Sequence, residues 1–153
     1  MYAAPSLSPS ACVRHSGDLK WPTPTCCSHH LLSVLPAFGS QGHLLSVANL
    51  VIHPSKPLLV TASDDKTWKM WHLPNGDLIM CGEGHKDWVA GVSFHPDGTS
   101  LASGSGDSTV KIWSFAKQKC VATFQEHKQA VWSVKYHDQG EWLASCSLDH
   151  TVR

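Results

Sequence analysis

Three stretches of the chain share one rhythm of apolar positions. Val47, Leu50 and Ile52 set it, and Val89, Val92, Phe94 and then Val131, Val134, Tyr136 repeat it. The apolar residues come three and then two places apart, which breaks the strict alternation of a half-buried strand. A β-bulge absorbs such a step, because one extra residue bends the strand and re-aims its neighbours. A helix could use the step of three, but the turn-forming tetrapeptides "HPSK", "HPDG" and "HDQG" follow at once and leave too little length for one. Pro54 and Pro96 fix φ in those turns, and Gly98 and Gly140 tolerate left-handed backbone.

A second strand is expected at "PLLVTAS", "SLASGS" and "WLASCS". One face carries Leu59, Thr61, Ser63 and their counterparts. The other carries small side chains, Ala102 and Gly104 or Ala144 and Cys146, which predicts close approach of a neighbouring sheet. A tight turn containing Asp leads to a third strand at "TWKMW" and "TVKIW", and a fourth at "DLIMCGE" and "KCVATFQ" closes the unit.

The polar positions keep the same register. His43, His85 and His127 stand 42 residues apart, as do His53, His95 and His137. Asp65, Asp107 and Asp149 share that spacing, as do Thr61, Ser103 and Ser145, and also Thr67, Thr109 and Thr151. Trp71 matches Trp113. A single period without insertion marks a repeat protein, and four short strands per period mark an all-β chain of propeller blades. The units run 42–83, 84–126 and 127–153, the last one truncated. Four-stranded antiparallel blades on this plan make an incomplete propeller of about 2.7 blades, where closed rings have about four or more. The remaining blades, missing from this chain, are therefore expected partners of its open faces.

Residues 1–41 have a different character. They are rich in Pro, Ser, Cys and His, with "WPTPTCCSHH" at their centre, and are expected to be disordered or loosely packed. "LLSVLPAF" could pair as an outer strand, although Pro36 bars it from a central one. Cys26, Cys27, His29 and His30 crowd five residues and cannot easily wrap one tetrahedral ion, so neither a metal nor another cofactor is expected.

Composition narrows the partners. Lys+Arg and Asp+Glu are 12 each, so no charge excess predicts nucleic acid or an anionic membrane as an obligatory partner. No apolar run approaches the roughly 18 residues of a membrane helix. The six cysteines lack paired spacing, and the first residues lack the apolar core of a secretion signal, which points to reduced thiols in the cytoplasm.

The stretch "GHKDWVAGVSFHPDGTSLASGSGDSTVKIW" resembles the WD40-repeat family from its Gly-His pair to its Trp. The resemblance implies β-propeller blades, each braced by hydrogen bonds among the Gly-His histidine, a second-strand Ser or Thr, the turn Asp and the third-strand Trp. Those residues are His43, Thr61, Asp65 and Trp71; His85, Ser103, Asp107 and Trp113; and His127, Ser145 and Asp149. His72 and Ser114 depart from the family pattern, which has Asp after the Trp. Together with "WKMWHLPNGDL", "HKQAVWSV" and "SCSLDHT", the repeats resemble those of a central-apparatus protein of motile cilia and flagella. That implies a non-catalytic scaffold in the axonemal cytoskeleton, bound to other proteins such as central-pair components. A generic WD40 adaptor of another cytoplasmic or nuclear complex is the alternative.

His85, Ser103 and Asp107 are also the residue types of a hydrolytic triad. A triad needs an oxyanion hole and a pocket and has no use for three copies, and Thr61 at the serine position suits hydrogen bonding better than nucleophilic attack. In the family, the first-strand bulge and the residue before the turn Asp face one surface. Ser46, Ala48, Trp88, Ala90, Ala130 and Trp132 hold the first set of positions, and Asp64, Gly106 and Leu148 the second. Trp88, Trp132, Asp64 and Leu148 are the candidate partner-binding residues, since Trp is enriched at interface hot spots.

Overall fold

The computed structural model describes residues 42–153. The expectations about the segment before them lie outside the described residues. Ten strands form, and among the described residues there is no helix. The first sheet holds β1 (Val47–Ile52), β2 (Leu58–Ser63), β3 (Trp68–His72) and β4 (Asp77–Gly82) in that spatial order. The second repeats it with β5 (Val89–Phe94), β6 (Ser100–Ser105), β7 (Val110–Ser114) and β8 (Lys119–Phe124). The third pairs β9 (Val131–Tyr136) with β10 (Leu143–Ser147), and a bridge from Cys146 to Val152 begins the next strand.

The broken apolar rhythm is a bulge in all three units. In β1 the register shifts between Val47 and Asn49, and in β5 between Val89 and Gly91. In β9 Val131 pairs with Ser147 and Ser133 with Cys146, leaving Trp132 as the extra residue. Ala48, Ala90 and Trp132 are thus equivalent, each pushed out of the ladder at the same end of its sheet.

The sheets stack face against face, and the second lies between the other two. Every residue of β5 is buried, whereas β1 alternates between half-buried and exposed. The small residues set the spacing. A Cβ on Gly91 would stand 2.8 Å from the Ser133 Cα, and one on Gly104 2.7 Å from the Val131 side chain. Across the same gap the Ser93 hydroxyl accepts the Tyr136 N–H at 3.1 Å.

The main core lies between the first two sheets, where Val60, Ala62, Trp68 and Met70 meet Val89, Val92, Phe94, Leu101 and Trp113. One pair of positions is exchanged between the units. Trp68 sits opposite Gly82 across β3 and β4, and its indole fills the space a side chain at 82 would need. In the second sheet the equivalent pair is Val110 and Phe124, with the bulk on the other strand. Trp68 packs edge-on against Trp113 at 5.5 Å between ring centres. Its N–H is buried without a hydrogen-bond partner among the described residues, which weighs against the gain in packing.

Candidate functional site

Each unit carries the same chain of polar side chains, running from the third strand to the loop before the first. In the second unit the Trp113 N–H donates to Ser103 Oγ at 2.7 Å, and Ser103 Oγ lies 2.7 Å from His85 Nε2. His85 Nδ1 lies 3.0 Å from Asp107 Oδ2. A carboxylate only accepts, so Nδ1 carries the ring proton, Nε2 accepts from the serine hydroxyl, and all the donors point one way. The first unit matches with Trp71 to Thr61 at 2.8 Å, Thr61 to His43 at 2.7 Å and His43 to Asp65 at 2.8 Å. In the third, Ser145 to His127 is 2.8 Å and His127 to Asp149 is 3.0 Å.

The acid is also clamped by groups that sequence reasoning did not use. Asp107 Oδ2 accepts the Lys86 N–H at 2.8 Å, and Oδ1 accepts the Thr109 hydroxyl at 2.6 Å and its N–H at 3.0 Å. Thr67 and Thr151 clamp Asp65 and Asp149 in the same way, each with a 2.6 Å bond from its hydroxyl. The signal was present, because these threonines hold the 42-residue register.

The electrostatics follow from burial and bonding. Desolvation of the ring lowers the His85 pKa although Asp107 pulls it up, and desolvation does the same at His43 against Asp65. Both rings are therefore neutral near pH 7. Burial pushes Asp107 up, but the bonds from Thr109, the Lys86 N–H and His85 outweigh it and hold the acid at about 2. Asp149 lies well below the usual carboxylate range, chiefly through the Thr151 hydroxyl.

Ser103, His85 and Asp107 thus have the connectivity of a hydrolytic triad without access for a substrate. Ser103 is 0 % exposed, its oxygen accepts the Trp113 N–H, and the indole lies against it. A nucleophile needs a free approach path and donors for the oxyanion beside it. This arrangement can brace a sheet.

The brace also fixes an exposed rim. Ser105 Oγ donates to the Asp87 carbonyl at 3.1 Å and accepts the Asp107 N–H at 3.1 Å, pinning the loop that carries Trp88. The Gly106 N–H then donates to the Trp88 carbonyl at 2.8 Å. Asp64 with Ser46 and Leu148 with Ala130 repeat that bond at 2.9 Å each, so Asp64, Gly106 and Leu148 are equivalent rim positions.

Trp88 and Trp132 come from different units and meet on this rim, their rings 4.8 Å apart and tilted by 46°. The Trp88 indole lies over Gly106, where a Cβ would come within 2.5 Å of the ring. Trp88 is half-buried by these contacts, while Trp132 is 52 % and Leu148 49 % exposed. Asp64 is exposed at the first unit's end of the rim. Trp142 lies apart, exposed just before β10.

The family model for "WD domain, G-beta repeat" matches residues 30–72, 74–114 and 118–153. The chain belongs to the WD40-repeat family. The family's repeats are offset from the sheets, because 74–114 takes in β4 of the first sheet and stops at the end of β7. The first match reaches back to residue 30, before the described residues.

Among individual proteins, the chain is 84 % identical over 43 residues to the flagellar WD repeat-containing protein Pf20 of Chlamydomonas reinhardtii. That stretch is 28 % of this chain and 7 % of the flagellar protein. Human striatin is 45 % identical over 38 residues, which is 25 % of this chain and 5 % of striatin, and mouse striatin matches over the same extent. The chain thus aligns with only a small part of each of these relatives.

Proposed function

We propose that these repeats belong to a non-catalytic interaction scaffold of the axoneme of cilia and flagella, in the central apparatus, where they support cilium assembly or motility. The observation that carries the setting is the 84 % identity to a flagellar WD-repeat protein. The resemblance of the same repeats to those of sperm-associated antigen 16 supports it. Localisation is then cytoplasmic and cytoskeletal, and the partners are other proteins, central-pair components among them.

Partner binding is assigned to the rim that carries Trp88, Trp132, Asp64 and Leu148. An exposed indole beside a second Trp and an exposed Leu is a good anchor for a protein partner, and such anchors contribute about 2 kcal/mol or more each. The test is localisation of the tagged full-length gene product in ciliated cells, combined with pull-down from axonemal extract by the wild type and Trp132→Ala. Axonemal signal with partner loss in the variant supports the reading; a diffuse or nuclear signal overturns the setting, and unchanged capture overturns the rim.

A second reading is an adaptor in another cytoplasmic or nuclear complex. The match to striatin, whose name carries no flagellar term, favours it. The same localisation experiment separates the two.

A further inference from the structure

A second set of histidines keeps the repeat register and takes no part in the brace. His53 follows the first strand of its unit and reaches across to the next one. Its Nε2 lies 3.2 Å from the Gly98 carbonyl. A carbonyl only accepts, so Nε2 carries the proton, and Nδ1 accepts the N–H groups of Ser55 and Lys56 at 3.1 Å each. The ring packs edge-on against Phe94 with 4.9 Å between centres. It occupies the place where a side chain on Gly98 would stand.

His95 repeats the carbonyl, ring and glycine contacts one unit on, but not those of Nδ1. Its Nε2 lies 3.2 Å from the Gly140 carbonyl, its ring meets Tyr136 at 5.0 Å, and a Cβ on Gly140 would stand 2.5 Å from Nε2. The Asp97 carboxylate stands 2.7 Å from its Nδ1. Each histidine thus latches onto two features of the following unit: an aromatic residue at the end of the first strand and a glycine four places later.

The third unit holds the donor ready. His137 Nδ1 accepts the Gln139 N–H at 3.2 Å, so the proton belongs on Nε2. The ring is exposed, and Nε2 has no partner among the described residues. The first unit lacks both receiving features. Ile52 stands where Phe94 and Tyr136 stand, and Lys56 where Gly98 and Gly140 stand. Gly98 and Gly140 have φ of 72° and 79°, whereas Pro57 restricts Lys56 to extended backbone.

We propose that His137 is a preset latch for a further WD40 blade that carries an aromatic residue and, four places on, a glycine with positive φ in its first turn. The latch rejects the first unit of a second copy of this chain. Continuity with the two formed junctions names the occupant, and Ile52 and Lys56 exclude head-to-tail self-assembly, which could grow into open filaments.

The test grafts the second unit's receiving features onto the first by Ile52→Phe, Ser55→Asp, Lys56→Gly and Pro57→Thr. Sedimentation velocity then compares the wild-type chain, the graft and the graft with His137→Ala. The graft is expected to self-associate about tenfold or more tightly than the wild type, and His137→Ala to remove the gain. A folded graft that gains nothing, a gain that survives His137→Ala, or wild-type association that depends on His137 would each overturn the proposal. Ring-nitrogen NMR on the wild-type chain keeps it testable if the graft does not fold. The Nε2–H of His53 is expected to exchange slowly and that of His137 fast, and an Nδ1–H form at His137 would overturn the preset donor.

Discussion

The second and third units carry nearly the same polar residues yet differ in what those residues accomplish. In the second, the brace ends on Trp113, the sheet has a neighbour on each side, and every residue of β5 is buried. In the third, the His–Ser–Asp chain has the same geometry, but no Trp among the described residues donates to Ser145. Ala144, the counterpart of the fully buried Ala102, lies exposed. The brace is therefore local and forms within one sheet. Burial of the faces is a property of neighbours, and a unit flanked on one side only has half of it.

The widest separation between the units is expected where backbone meets backbone. A Cβ on Gly91 would stand 2.8 Å from the Ser133 Cα and 2.9 Å from the Val134 nitrogen, and neither atom can swing aside. Gly91→Val is expected to cost about 3 kcal/mol or more in urea unfolding, beyond the usual range of overpacking. Its counterpart Ser133 is exposed, and Ser133→Val should stay within about 0.5 kcal/mol. Equal costs at the two sites would mean the sheets do not stack as closely as these distances state.

The brace gives the next largest contrast. Ser103→Ala strips a buried acceptor from the Trp113 N–H and a donor from His85 Nε2, at about 1–3 kcal/mol for each buried group left unpaired. Ser145→Ala orphans only His127 and should cost about half as much. If Ser103→Ala instead removed a hydrolytic activity while leaving the melting temperature unchanged, the structural role assigned to it would fail.

Much of this contrast is legible in the sequence. The break in alternation at Val89, Val92 and Phe94 announced the bulge, and small residues at Ala102 and Gly104 announced the close neighbour. The register of His85, Ser103 and Asp107 marked them as framework. What stayed hidden depends on contacts between units. His53 and His95 were visibly in register, but nothing within one repeat says that a ring at 53 bonds a carbonyl at 98. The exchange of bulk between Trp68–Gly82 and Val110–Phe124 was hidden likewise, because it appears only once strand register pairs the two positions.

Acid should reach the braces in two stages. The folded pKa values of His43 and His85 lie below the unfolded value of 6.5, so the folded state binds those protons less readily. Their contribution is complete above pH 6.5 and is lost as pH falls through the folded values. Asp107 adds a second loss as pH drops from 3.8 toward 2. The melting temperature is expected to fall from pH 7.5 to pH 5 and again below pH 4. Replacing His85 by Gln should flatten the first fall, and an unchanged profile in that variant would assign the first stage to other groups.

A smaller contrast in stability is expected at the exposed rim. Trp132 leans on Trp88 across the junction between the second and third units, and a tilted aromatic pair is worth about 0.5–1.5 kcal/mol beyond its buried area. With half its surface in water, Trp132→Ala should cost about 1 kcal/mol. Trp88→Ala should cost more, because its indole covers Gly106 and loses both neighbours. A double-mutant cycle between the two measures their coupling directly. Coupling near zero with a large cost for Trp132→Ala alone would make that residue part of the core. Weak coupling at small cost would leave both indoles free to face a partner.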